Sequence, residues 1–149
     1  PTLVMATKGT IKSEKFNLLF HKYNNHKTYL LPCVGLADLI ENGNKEELEK
    51  YLKKTLGLYK GLVKNVVLGC THYPLIQKEI GQVLGNDIKF FNGANKLAIH
   101  LKEVLSEQNL INTSSQNRKV EFIDSLGKIE KQERFYEILK EYNIEYEGD

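Results

Sequence analysis

Cysteine is scarce in this chain: only Cys33 and Cys70 among 149 residues. Two cysteines make no disulfide framework of the kind that staples small secreted domains, and no secretory signal stands out. A reducing, cytoplasmic setting is therefore the expectation. Long hydrophobic runs are missing too; none approaches the roughly 20 apolar residues that a membrane-spanning helix needs. Neither sign of charge dominates, with 21 basic and 19 acidic residues giving a net charge of +2. The charges are interspersed, with no basic tract and no acidic tail, so nothing points to nucleic acid or to an anionic membrane as a partner. There is no internal repeat and no low-complexity segment. By composition only the polar stretch 112–117 (Asn-Thr-Ser-Ser-Gln-Asn) reads as a linker.

What remains is an ordinary globular composition, 41% hydrophobic and 27% charged. At this length about two thirds of the unfolded chain's surface can be buried, which allows a core of useful size. The opening run Thr2-Leu3-Val4-Met5-Ala6 reads as a buried strand. A chain that starts inside a strand is expected to continue a segment lying upstream.

Thr7 to Thr10 reads as a loop. Phe16, Leu19, Phe20 and Tyr23 then recur at helical spacing behind a Ser13 cap. A second strand is expected over 28–31, stopped by Pro32. Residues 36–62 read as helical with a break at Asn42-Gly43-Asn44, and Leu48, Tyr51, Leu52, Tyr59 and Leu62 fall on one side. Val66-Val67-Leu68 reads as a third strand, buried on both faces. A helix from Pro74 to about Leu84 follows, closed by Gly85-Asn86. A fourth strand is expected over 88–91, a helical face at Leu97, Leu101, Val104 and Leu105, a fifth strand over 120–123, and a last helix over 131–142 carrying Phe135, Ile138, Leu139 and Tyr142. Strands alternating with helices predict an α/β fold with a parallel sheet.

The segment richest in chemistry is Val66 to Leu75. A buried strand runs out at Gly69, Cys70, Thr71 and His72 follow, and Pro74 opens a helix. In open α/β sheets ligands bind beyond the carboxyl ends of the strands, which is where Cys70 stands. A helix N-terminus there would favour a thiolate through its unpaired N–H groups and its dipole. His72 could supply a proton or a positive charge. Gly69 would let the backbone approach a small ligand closely. The same N–H groups and the Thr71 hydroxyl suit a ligand carboxylate. Blander readings exist for each residue. A free cysteine after a strand is more often a small buried hydrophobe than a nucleophile. Thr71 reads equally as a cap, and His72 as a polar neighbour of it. Cys70 and His72 are too few ligands for a metal, and no second cluster is visible. A Cys-His hydrolase would use such a cysteine as well.

The stretch Gly69-Cys70-Thr71-His72-Tyr73-Pro74-Leu75 resembles the second cysteine motif of glutamate racemases, seven matches in a row after an apolar strand. Related aspartate racemases usually lack the His-Tyr-Pro continuation. Residues 5–13 (Met-Ala-Thr-Lys-Gly-Thr-Ile-Lys-Ser) resemble the strand and loop that open the family's second domain. Residues 33–43 resemble a family segment that ends in a glutamate. Cys33, Leu39, Ile40, Glu41 and Gly43 match it, while Val34, Gly35, Ala37 and Asp38 depart. The strand and helix after Arg118 resemble the family's return to its first domain, with Asp124-Ser125-Leu126-Gly127 where the family has Ser-Gly-Asp.

The resemblance implies a two-domain α/β protein with the site between the domains. Residues 1–92 would form the second domain, and residues 93–149 would be closing segments of a first domain that is mostly absent. It implies interconversion of L- and D-glutamate by two cysteines and no pyridoxal phosphate, metal or other cofactor. One thiolate removes the α-proton from one face and the other thiol delivers a proton to the opposite face. Cys70 matches the cysteine of the second domain. His72 and Glu41 match groups that orient or tune it. Thr71 and His72, with Thr7 and Thr10 of the opening loop, match positions that meet substrate. The product would feed peptidoglycan and so cell-wall biogenesis and cell shape; a homodimer is compatible with the family.

The family's other cysteine, in an Ala-Cys-Asn-Thr segment, has no counterpart here, and neither do its Asp-Ser-Gly and Tyr-Gly turns. Cys33 matches a position that is not catalytic in the family. The expectation is a chain that does not racemise alone and whose partner is the missing N-terminal half. Two other readings stand beside it: a non-catalytic binding or interaction domain of the same fold, and a one-cysteine decarboxylase-like relative with Cys70 as proton donor.

Overall fold

The computed structural model describes residues 1–23, 27–85, 87–112, 121–123, 125, 127 and 129–141. The chain divides into two compact units, residues 1–101 and 102–149. The first unit carries a four-stranded sheet, all parallel, of strands β1 (Thr2–Ala6), β2 (Thr28–Pro32), β3 (Asn65–Leu68) and β4 (Lys89–Phe91). Their spatial order is β2-β1-β3-β4. Register pairs Met5 with Leu31 on one side and with Leu68 on the other. The chain leaves β1 toward one edge and then crosses back to the other side of β1, so the sheet has its switch point between β1 and β3. The carboxyl ends of those two strands frame the crevice where α/β sheets of this kind bind ligands.

The helices are α1 (Lys8–Lys12), α2 (Glu14–Tyr23), α3 (Leu36–Asn42), α4 (Lys45–Leu56), α5 (Gln77–Leu84), α6 (Ala94–Glu107) and α7 (Ile129–Glu141). The core forms where α3, α4 and α5 lay i, i+4 pairs against one face of the sheet: Leu36 and Ile40; Leu48, Leu52 and Leu56; Ile80 and Leu84. They meet Leu3, Met5, Val66 and Leu68. Each such side chain contributes about 1.5–3 kcal/mol when fully buried. The expected break at 42–44 is a C-cap followed at once by an N-cap. Gly43 takes φ 68°, the left-handed region that favours glycine, and its N–H donates to the Ile40 carbonyl. Asn44 then accepts the Glu47 N–H at 3.2 Å.

Several expectations are corrected. Residues 7–10 are not a loop: Thr7 caps α1 by accepting the Thr10 N–H at 3.1 Å. Ser13 does cap α2, through the Phe16 N–H at 3.2 Å. The helix expected to reach residue 62 ends at Leu56 in a 3-10 turn (Gly57–Tyr59), and Leu62 is exposed while Leu56 and Val63 are buried. β3 is not buried on both faces; Val66 and Leu68 are buried and Val67 only half so. In the second unit residues 121–123 form no strand, and Ile123 is exposed. Val120 lies outside the described residues, as do 113–117 of the polar stretch, Asn86, Asp124, Leu126 and Tyr142. The last helix is present as α7, and the Phe122 ring packs on Phe135 and Tyr136 with centroids 5.2 and 4.9 Å away. Among the described residues no helix is long and apolar enough to cross a membrane.

Candidate active site

Gly69 ends β3 with its N–H donating to the Met5 carbonyl of β1 at 2.8 Å. A Cβ on it would lie 3.0 Å from that carbonyl oxygen and 3.1 Å from the Ala6 Cβ. The glycine thus serves the close approach of two strands. Both clashing atoms belong to β1 and have little freedom to move. Gly69→Ala is therefore expected to destabilise the chain by about 1–3 kcal/mol, the range for overpacking. A urea midpoint equal to the parent's would contradict this.

β1 and β3 pair up to Met5 and Leu68, and Gly69 lies against Ala6, so Thr7 and Cys70 follow at the adjacent carboxyl ends of the two strands at the switch point. The Cys70 thiol is half-buried. Its immediate support is not an α-helix N-terminus. A 3-10 turn (Tyr73–Ile76) with Pro74 in it intervenes, held by Tyr73 N–H to the Cys70 carbonyl at 3.3 Å and Leu75 N–H to the His72 carbonyl at 3.0 Å. α5 itself begins only at Gln77. A dipole effect acts within the first helical turn, so Cys70 stands too far from α5 to draw on it. The groups that can act on its thiol are the side chains around it.

His72 stands between two partners. Its Nε2 lies 2.8 Å from Glu41 Oε1, and its Nδ1 lies 3.8 Å from Cys70 Sγ. A carboxylate only accepts, so Nε2–H donates to Glu41, and in a neutral ring Nδ1 then presents its lone pair toward the thiol. Glu41, His72 and Cys70 thus form a chain in which a carboxylate orients an imidazole and the imidazole faces a sulfur, a geometry that activates thiols. Thr71 is exposed, with its hydroxyl 3.4 Å from the same Nδ1. Thr7 and Thr10 bond each other at 2.9 Å between their hydroxyls. The six expected site residues therefore fall into two groups at neighbouring strand ends: Cys70, Thr71, His72 and Glu41 linked by contacts, and Thr7 with Thr10.

Cys33 follows β2, its N–H donating to the Ala6 carbonyl at 2.9 Å. Its side chain is buried in the same core cluster as Leu36, Leu68 and Tyr73. Burial pushes its thiol from 9.0 up to about 11, against a lowering contact with the Tyr73 hydroxyl. It stays protonated near neutrality and is a packing residue. Because the folded thiol holds its proton more tightly than the unfolded one, its stabilising contribution is complete below pH 9.0 and lost as pH rises toward about 11. Over that window stability is expected to fall by about 2–3 kcal/mol from this group. Denaturant titrations at both ends of the window would read the loss, and Cys33→Ala should flatten it.

Tyr73 is the residue that sequence reasoning passed over. Its ring is wholly buried behind Cys70, and burial pushes its phenol up above the usual range. An aromatic between a histidine and a helix-opening proline was the available signal.

No protein-family model matches the chain. It is 37% identical to the glutamate racemase of Clostridium kluyveri over 142 residues, 93% of this chain and 55% of that protein. It is 40% identical to the glutamate racemase of Clostridium botulinum over 129 residues, 84% of this chain and 50% of that protein. The chain thus spans about half the length of the curated relatives it matches. The crystal structure of the Francisella tularensis glutamate racemase in complex with D-glutamate superposes with a TM-score of 0.63 at 32% identity, covering 76% of this chain and 44% of that one. The Escherichia coli glutamate racemase, at 24% identity and a TM-score of 0.73 over 95% of this chain, shares the fold.

Proposed function

This chain is a homologue of the glutamate racemases, matched along 84–93% of its length, and on that premise we propose that it is one wall of an enzyme interconverting L- and D-glutamate, with Cys70 as one of two acid/base thiols. The observation that carries the reading is the Glu41–His72–Cys70 chain at the switch point of the sheet, 2.8 and 3.8 Å between successive partners. Racemisation at a carbon needs a base on one face and an acid on the other, because a single base returns the proton to the side it left. Cys33, buried and raised, cannot serve the second face. The second thiol belongs to a half of the enzyme for which this chain has no matching segment, in keeping with relatives nearly twice as long.

Residues 1–92 are the second α/β domain of that enzyme, and residues 93–149 are closing segments of the first. Thr7, Thr10, Thr71 and His72 line the glutamate side of this wall, and the relative of known structure with 32% identity binds D-glutamate. Leu18 and Leu19 of α2 and Leu97 and Leu101 of α6 are exposed, which suits a chain that packs against further protein: the complementary half or a second copy in a homodimer. D-Glutamate made in a reducing cytoplasm would supply peptidoglycan synthesis.

The test is α-proton exchange from L-glutamate in deuterated water, followed by NMR. The chain alone is expected to show none. Mixed with a polypeptide carrying the part of the Clostridium kluyveri protein that it does not match, it is expected to show exchange and racemisation. Exchange in neither case, with the fold intact by circular dichroism, would overturn the reading and leave a non-catalytic domain of the same fold. Exchange by the chain alone would overturn the need for a second wall and favour a one-cysteine enzyme.

A further inference from the structure

The turn that carries Cys70 is tied to the segment that carries Glu41 at two points. One is the His72–Glu41 pair at 2.8 Å. The other lies underneath: the Tyr73 hydroxyl donates to the Cys33 carbonyl at 3.4 Å and also meets the Cys33 thiol. Cys33 stands three residues before α3, whose far end bears Glu41. The 3-10 turn beginning at Tyr73 packs on α3. The ring is completely buried, so this hydroxyl has no water to turn to, and leaving it unpaired is costly. Its place is fixed from the other side by the Tyr73 N–H on the Cys70 carbonyl.

We propose that Tyr73 is a positioning residue for Cys70: its hydroxyl, seated against Cys33, sets the spacing between the Cys70–Tyr73 turn and α3 at which Glu41 holds His72 toward the thiol. This deepens the acid/base reading of Cys70 and rests on it. The inward side of the motif thus has a task distinct from its outward side. Cys70, Thr71 and His72 form the outward side, while Tyr73 anchors those three residues from within the core. A phenylalanine would fill the same space and leave the turn to settle by packing alone, so that the imidazole and the thiol would meet less often at the right distance.

The experiment is alkylation of Cys70 by iodoacetamide in the 149-residue chain, quantified by peptide mass across neutral and alkaline pH. Wild type is compared with Tyr73→Phe, His72→Asn and the double variant. The thiolate is the form alkylated, so the rate reports how far the site favours it. Tyr73→Phe is expected to keep the wild-type circular dichroism and to move the pH profile in the direction that His72→Asn moves it. At neutral pH its rate should fall about threefold, the equivalent of half a pH unit. In the double variant the profile should coincide with that of His72→Asn. A Tyr73→Phe profile that stays on wild type while His72→Asn moves would overturn the positioning role alone. A His72→Asn profile that stays on wild type would overturn the reading beneath it as well. Loss of the folded spectrum in Tyr73→Phe would assign the hydroxyl to folding and likewise overturn the proposal.

Discussion

Replacing Cys70 by serine, in a protein that carries both halves, is expected to lower glutamate racemisation by about 1,000-fold, within the range for loss of a positioned acid–base group. Serine is close in size and would keep the turn at Gly69 to Tyr73, so the fold should survive. Its hydroxyl gives up a proton far less readily than a thiol, so it can neither remove the α-proton nor return one at a useful rate. His72 would remain beside it, held by Glu41 at 2.8 Å, yet an imidazole oriented at a hydroxyl does not restore an acid of the right strength. The opposite thiol would still touch its own face of the carbon, so slow exchange of one enantiomer without inversion is compatible with the scheme. Racemisation followed by polarimetry, beside α-proton exchange followed by NMR in deuterated water, from both enantiomers separates the two events. A serine variant that kept a tenth or more of the parent rate in both directions would remove Cys70 from the mechanism.

Much of this arrangement was legible in the sequence, and the misses have physical causes. The parallel α/β class followed from apolar runs alternating with helical faces, and β1, α2 and β3 fall where periodicity put them to within a few residues, while α4 ends six residues short. α1 is illegible in the sequence because five residues including Gly9 carry no periodic signal; the Thr7 cap marks its start. β3 was read as doubly buried because Val66-Val67-Leu68 is unbroken, yet only alternate residues reach the core packed by α3, α4 and α5. The helix expected from Pro74 starts as an α-helix only at Gln77, three residues on. Pro74 suits the first turn of a 3-10 helix as well as that of an α-helix, and no sequence rule separates them. The strand order is a tertiary property, and so is the meeting of Glu41 with His72, 31 positions apart. Glu41 was reached through resemblance despite the departures at Val34, Gly35, Ala37 and Asp38. α3 nonetheless starts at Leu36, with Leu36 and Ile40 buried, and this phasing leaves Glu41 only half-buried, within reach of the imidazole.

The proposed relay has Glu41 act on the reaction through His72, and this makes a quantitative claim about the two together. His72→Asn, in a protein carrying both halves, is expected to reduce racemisation by about 100-fold, since in the proposed relay it removes the imidazole that faces the Cys70 thiol at 3.8 Å. Glu41→Gln should cost less, about tenfold: its amide oxygen can still accept from Nε2–H, but the charge that strengthens the bond is gone. If the carboxylate's whole effect is to hold and polarise that ring, removing it after the ring has gone changes nothing further. The double variant is then expected to match His72→Asn within about twofold, the strongly non-additive pattern of residues that work as one unit. Independent roles would instead multiply, giving about 1,000-fold, and would require Glu41 to meet the substrate or another part of the enzyme directly. Rates for the four proteins at saturating glutamate, with folding checked by circular dichroism, decide between a relay that runs from carboxylate to imidazole to sulfur and two separate contributions that happen to lie 2.8 Å apart.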